Sequence, residues 1–286
     1  MSSSEALYDR QALTRNRLRS SSITASNFLL EEVAQELKER LLDSNRSFFK
    51  SAIVTGNPNF WKQWMPDAEI LKDDDILSFE GERYDLIIHA MCLHWSNDPV
   101  GQLVQCKKAL KPDGLFLGSL LGGQTLSELR QALLVAESTV SNGVSPRLSP
   151  TVEIREVGNL LQRVGLTLPV ADASKLNVSY GSVYHLMRDL RAMGETNVLK
   201  RRMKTFTSRR LFLEVNRIYS KNHKLEDDKI RATFELIFLA GWAPDISQPQ
   251  PLRPGSAQTH FSEVLNNINE NLGPFSHLDK EKQQDE

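Results

Sequence analysis

Apolar residues recur at helical spacing in the stretch SNFLLEEVAQELKERLLDSN, where Phe28, Leu29, Val33, Leu37, Leu41 and Leu42 share one side and Ser26 or Asn27 stands at the N-cap. The period then shortens. Ala52, Ile53 and Val54 are strand formers running into Gly56, AEIL before three aspartates is a second short strand, and YDLIIHAM is the near-continuous apolar run of a strand buried on both faces. A helix over DPVGQLVQCKKALKPDG, stopped by Pro112 and Gly114, separates that run from the strand LFLGSLL. Downstream, Thr125 opens a helix reaching about Val140, SNGVSPRLSP is rich in turn formers, and a helix over 152–164 is ended by Gly165. LTLPVADASKLNVSY and IRATFELIFLAGW carry two further strand patterns. Between them lie helical stretches over 181–193 and 209–222, joined by a basic linker.

Strands alternating with helices predict an α/β fold, a parallel sheet with crossovers on both faces. The expected division is an N-terminal helical region over 1–50, the sheet domain over 51–262 with a helical insertion at 181–225, and a tail over 263–286. The polar end HLDKEKQQDE has the composition of a disordered segment.

Composition narrows the partners. With 286 residues, 40% hydrophobic and 25% charged, the chain is long enough for a sizeable core. A formal net charge of -1 gives no overall basis for binding nucleic acid or an anionic membrane, so no nucleic-acid partner is expected. Two cysteines, Cys92 and Cys106, fit a reducing compartment. No stretch approaches the ~20 apolar residues of a transmembrane helix. The opening MSSSEALYDRQALTRNRLRSSS has the Ser/Arg bias of a mitochondrial transit peptide, but Glu5 and Asp9 interrupt it, and an exposed basic helix is expected instead.

The candidate chemistry starts at VTGNPNF. A nucleotide-binding sheet places a glycine-rich loop after its first strand, because any Cβ there would occupy ligand space. Only Gly56 answers to that need, Pro58 has no N–H to donate, and Phe60 and Trp61 are bulky. Trp61 and Trp64 either plug the space such a loop leaves or pack the first helix onto the sheet. His89, Cys92 and His94 are metal-ligand types, but residues 89 and 92 of a strand point to opposite faces and no fourth ligand is near, so packing roles are expected and no metal. His94, at the strand exit with Trp95, is placed as a general base, a substrate contact or a loop hydrogen bond. LKRRMKTFTSRR carries six basic residues and fits a partner's acidic surface through Arg201, Arg202, Arg209 and Arg210, or a solvated linker. Gly122 and Gly123 precede a helix as an anion site or an ordinary turn, and Thr125 with Glu128 has capping-box spacing.

Read together, YDLIIHAMCLHWSND, ALKPDGLFLGSLLGGQTLSELR and SPRLSP followed by VGNLLQRVGL resemble the class I S-adenosylmethionine-dependent methyltransferases. More narrowly they resemble the branch containing assembly factors of respiratory complex I; YDR at 8–10, MRDLRAMGE at 187–195 and GW at 241–242 support that branch. The resemblance implies a Rossmann-like sheet of seven strands, mostly parallel with an antiparallel last strand. S-adenosylmethionine would lie across the carboxyl ends of the first strands, on Gly56, Asp73, Asp74, Ala90, Met91, Leu93 and His94, with Asp73 accepting from the adenine amino group. The glycine loop departs from the family pattern, and so does the short interval 57–67, which leaves no room for the family's second strand and its ribose-binding acid. Two functions follow as expectations: a methyltransferase-family protein acting on a protein substrate in complex I assembly, or a non-catalytic assembly factor that has lost the cofactor site. A bacterial cytoplasmic location is expected because the YDR region stands almost at Met1, with the mitochondrial matrix as the alternative.

Overall fold

The structure, a computed structural model, describes residues 6–20, 27–79, 84–141 and 143–249. The expectations for 250–262 and for the tail over 263–286 fall outside them. The chain divides into units Met1–Ile246 and Ser247–Glu286, and every helix and strand named below belongs to the first.

Two helices, α1 (Arg10–Ser20) and α2 (Phe28–Asp43), precede β1 (Ser51–Thr55). Then come α3 (Pro58–Trp64), β2 (Glu69–Lys72), β3 (Tyr84–Ala90), a single 3-10 turn at Leu93–Trp95, α4 (Pro99–Ala109) and β4 (Leu110–Leu121). The second half comprises α5 (Ser127–Ser141), α6 (Ile154–Arg163), β5 (Thr167–Tyr180), α7 (Val183–Ala192), α8 (Arg209–His223) and β6 (Ile230–Trp242). The sheet order is β2-β1-β3-β4-β6-β5. β2, β1, β3 and β4 run parallel, and β6, the last strand, is antiparallel to β4 and β5 on either side of it.

The described sheet has six strands where seven were expected. The physical reason lies between β1 and β2, where the seven-residue α3 is the only crossover. β2 therefore pairs β1 directly, Val54 opposite Leu71 and Thr55 opposite Lys72. A second departure concerns Pro112, which does not stop α4; the helix ends at Ala109 and Pro112 lies inside β4. Pairing of β3 with β4 jumps from Tyr84–Leu110 to Leu86–Leu115, so Pro112 and the left-handed Asp113 occupy a bulge where no ladder N–H is needed.

Each sheet face is covered by its own core. On one, Leu29, Val33 and Leu37 of α2 join Ile53, Leu86, Phe234 and residues of α5, α7 and α8. Trp61 is completely buried in this cluster, edge-on to Phe60 and Trp64 at 5.3 Å each, so it packs helices onto the sheet. The opposite face carries α4 and α6 over Ala52, Val54, Ile87 and Phe116. Each of these large buried side chains contributes roughly 1.5–3 kcal/mol by leaving water. α1 belongs to neither core. It has a small cluster of its own: Tyr8, Ala12 and Leu13 against Trp95, Val198 and Leu199.

Candidate functional site

Parallel register brings the carboxyl ends of three strands level, because Thr55 is paired with both Lys72 and Ala90. Gly56, Asp73 and Met91 follow those ends and form one crevice edge, where open α/β sheets hold their ligands. Another part of the chain enters this crevice. Arg17 of α1 places Nη1 2.7 Å from Asp73 Oδ1, and its side chain is only 15% exposed. A Cβ built on Gly56 would fall 2.5 Å from Arg17 Nε and closer still to its Cζ, so a guanidinium lies directly against this glycine's backbone and any larger residue would have to push that side-chain end aside.

Arg10, two helical turns earlier on the same face of α1, takes the rest of Asp73. Its Nη1 lies 3.4 Å from Asp73 Oδ2, and its Nη2 donates to the Asp73 carbonyl oxygen and lies 3.7 Å from Asp74. Burial pushes the Asp73 carboxyl up, but the two guanidiniums outweigh it and hold the group below the usual carboxylate range. For Arg17 burial disfavours the charge, and the Asp73 charge outweighs that too, raising its pKa.

The loop bearing Asp73 is fixed from below. Gln102 on α4 donates its amide to the carbonyl oxygens of Asp73, at 3.3 Å, and Asp74, at 2.8 Å. Its Oε1 therefore faces His89 Nε2 at 3.1 Å, so Nε2 carries the proton and Nδ1 is an acceptor facing Cys92 Sγ at 3.4 Å. His89 and Cys92 thus lie together, against the expectation of opposite faces: β3 ends at Ala90, and Met91 at φ 51° turns the chain back. Burial, more than any charge, lowers the His89 pKa to about 4 and pushes the Cys92 thiol well up. A neutral imidazole and a protonated thiol are packing partners.

α1 is seated by the strings that carry the resemblance. Tyr8 packs edge-on to Trp95 at 5.3 Å, its hydroxyl meets Ser149 Oγ at 2.6 Å, and its backbone N–H donates to Asn97 Oδ1 at 2.8 Å. Asn16 donates to Thr196 Oγ1 at 2.6 Å. Gly194, at φ 81°, leaves space beside Arg17 Cγ and Ser20 Oγ that a Cβ would enter at 3.3 Å. Next to it, Glu195 accepts from Trp95 Nε1 at 2.9 Å and from His94 Nε2 at 3.3 Å. His94 Nδ1 accepts from the Leu121 N–H at 3.4 Å, so both ring nitrogens are engaged and this histidine ties the β3 exit to the α7–α8 linker.

Ala90, Met91 and Leu93 are buried in the sheet cores, while Asp74 is exposed. Arg202 is held by Asp9 at 2.9 Å, whereas Arg201, Arg209 and Arg210 are exposed, as is Phe206 beside them. Thr125 and Glu128 form no capping box; Thr125 Oγ1 donates to the Glu235 carbonyl oxygen and Glu128 binds Thr233. Gly122 and Gly123 abut Glu235 and Glu153, which are acidic neighbours for an anion site. Sequence reading missed Arg10, Arg17, Gln102 and Glu195. The signal for the first two was the seven-residue spacing of Arg10 and Arg17, which puts them on one helix face.

S-adenosylmethionine does not fit this crevice as it stands. Arg17 lies against Gly56, Asp73 has both oxygens engaged by arginines, and β2 pairs directly with β1 with no intervening strand to offer a ribose acid. Sheet order and crevice together define a protein of the methyltransferase fold with an altered ligand edge. A model described as a methyltransferase domain matches residues 48–118. The protein "Arginine-hydroxylase NDUFAF5, mitochondrial" of Dictyostelium discoideum is 45% identical over 194 residues, covering 67% of this chain and 44% of that protein. The Homo sapiens protein of the same name is 32% identical over 273 residues, covering 86% of this chain and 79% of that one. The chain belongs to this family, within the class I S-adenosylmethionine-dependent methyltransferases, although it spans less than half the length of the Dictyostelium relative. Among solved structures it is similar to the YcgJ protein of Bacillus subtilis at 10% identity, covering 83% of this chain and 100% of that one, with a TM-score of 0.44.

Proposed function

We propose that this chain acts in the assembly of respiratory complex I by engaging a protein partner, and that its crevice receives an arginine side chain of that partner instead of S-adenosylmethionine. The observation that carries the reading is the guanidinium of Arg17 paired with buried Asp73 over Gly56. A carboxylate beside a glycine backbone at a sheet edge is chemically suited to a guanidinium, whose planar fork matches it. The relatives' name supports the same group, since they are called arginine hydroxylases.

The surface around the crevice supports a partner of complementary charge. An open cavity of about 600 Å³ shares Arg10 with the crevice and is lined by Lys200, Arg201 and Lys204 together with Asp9 and Asp75. Arg209 and Arg210 begin α8 within the 181–225 insertion, with fully exposed Phe206 before them. This is a surface for an acidic segment flanking the arginine. Among the described residues no helix is long and apolar enough to cross a membrane, and the relatives' names, which say mitochondrial, support the mitochondrial alternative.

Two measurements test the reading. Calorimetric titration of the purified chain with S-adenosylmethionine and with S-adenosylhomocysteine should give no saturable heat at millimolar ligand; one-to-one binding of either would restore the methyltransferase reading. Disrupting the gene in its source cells should lower the amount of assembled complex I, and an unchanged amount would remove the assembly role.

A further inference from the structure

The geometry points to Arg17 as an internal occupant of the crevice, a stand-in for the partner's arginine that must leave, with α1, before the partner's side chain can enter. This rests on the proposed arginine-binding role of the crevice and concerns how the site is opened.

Three observations carry it. First, the fit of Arg17 is that of a ligand: one charge-assisted hydrogen bond to a buried carboxylate, a glycine backbone against which the guanidinium lies, and a second glycine, Gly194, making room for its stem. Second, the element that delivers Arg17 is lightly attached. α1 contributes to neither sheet core; its apolar anchorage is the satellite cluster of Ala12 and Leu13 with Tyr8, Trp95, Val198 and Leu199. Segments with few buried apolar contacts open at a fraction of the global unfolding free energy. Third, the backbone bonds that fix this part of the chain, Asp9 N–H to the Val198 carbonyl oxygen and Lys200 N–H to that of Leu7, lie just before α1, while α1 itself is seated by side-chain bonds that water can replace, such as Asn16 to Thr196. The sheet and its two cores stay intact when α1 lifts.

An internal competitor lowers apparent affinity by the fraction of molecules in which the site is open. Removing the side chain removes the competitor and leaves Asp73, Gly56 and Arg10 in place. The test compares the full-length wild-type chain with Arg17→Ala, titrated calorimetrically with N-acetyl-arginine methylamide and, as the neutral isostere, N-acetyl-citrulline methylamide. Arg17→Ala should bind the arginine probe one-to-one and at least about tenfold more tightly than wild type, and should bind the citrulline probe no better than wild type does. Equal affinity of a folded Arg17→Ala for the arginine probe, or equal gain for both probes, overturns the proposal.

If Arg17→Ala does not fold, hydrogen exchange on the wild-type chain decides. Tens of millimolar arginine probe should speed exchange of the amides of α1 and leave the strands protected; unchanged exchange in α1 overturns the proposal. The two readings fail separately. Probe binding by Arg17→Ala without any loss of assembled complex I on gene disruption leaves the self-occupied site standing and removes the assembly role. An assembly defect with no gain of probe binding does the reverse.

Discussion

Adding one methyl group at Gly56 isolates the contact on which the site depends. Gly56 is not in the left-handed region, so alanine meets no backbone penalty there. The three atoms nearest to the new Cβ all belong to Arg17, with Nε at 2.5 Å, against an ordinary contact of about 3.5–4.0 Å. The guanidinium must move by an ångström or more, and the 2.7 Å bond to Asp73 does not survive that. Breaking a buried ion pair by losing one partner costs about 3–5 kcal/mol. Arg10 remains on Asp73 and the displaced Arg17 can reach water, so we expect about 2 kcal/mol for Gly56→Ala, less roughly 0.5 kcal/mol gained from a stiffer unfolded chain. That corresponds to a fall in melting temperature of about 3–6 °C. The assay is a double-mutant cycle by denaturant unfolding. In the Arg17→Ala background the same methyl faces the space the side chain vacated, so Gly56→Ala should be neutral or mildly stabilising, giving a coupling of about 1.5–2 kcal/mol. If Gly56→Ala costs the same in both backgrounds, the glycine is needed for something other than Arg17, and the guanidinium does not depend on it.

The remaining expectations concern charge. His89 keeps a pKa of about 4 when folded but about 6.5 when unfolded, so the unfolded chain binds the extra proton first on acidification. Stability should be complete above about pH 6.5 and fall by about 3 kcal/mol between there and pH 4, and a denaturant midpoint for His89→Gln as steep in pH as wild type would remove His89 as the cause. Asp73 behaves as a depressed carboxylate among Arg10, Arg17 and neighbouring Glu195: its pairing contributes above the ordinary aspartate value of about 3.9 and is lost as pH falls through the lower folded value. Release of α1 should therefore be read in Trp95 fluorescence only below about pH 4, and a release midpoint near neutrality would exclude Asp73 as the anchor. Charge reversal at Arg209 and Arg210 should weaken partner capture with the melting temperature unchanged to about 1 °C, since both are exposed. Arg202→Ala should instead lower the melting temperature through its lost pairing with Asp9, and a silent Arg202→Ala would return that contact to the solvated surface.

Much of the sheet was legible because each strand had a period or composition that only a strand satisfies. YDLIIHAM is buried on both faces and reads as an unbroken apolar run; IRATFELIFLAGW and LTLPVADASKLNVSY read as strands, while the antiparallel direction of the last strand came from the family resemblance. The helix stop at Pro112 was misplaced because a bulge can absorb a proline that a ladder cannot, and a bulge leaves no mark in periodicity. The Trp61 ambiguity was of another kind: a tryptophan in a seven-residue helix has no periodic neighbours, so its direction is settled only by the packing of α2.

The crevice was half legible, and the missing half has a single cause. Asp73 was singled out because the family resemblance puts an acidic residue there, a solvated aspartate at a strand end being the alternative, and the departure of VTGNPNF from a glycine loop was plain in the residues. What local reading cannot supply is a partner 56 residues away along the chain. Arg17 lies in a helix whose arginines look solvated, RQALTRNRLRS; the seven-residue spacing puts Arg10 and Arg17 on one face, but nothing in that string says that this face, and not that of exposed Arg15, meets the sheet. The distinction comes from docking: Tyr8 and Leu13 fix α1 against Trp95 and Leu199, and that rotation aims residues 10 and 17 at Asp73. The lost glycine loop and the inserted arginine are then one structural change. The guanidinium of Arg17 lies against the Gly56 backbone, and the buried carboxylate of Asp73 needs a cation to balance it. In this structure α1 supplies it.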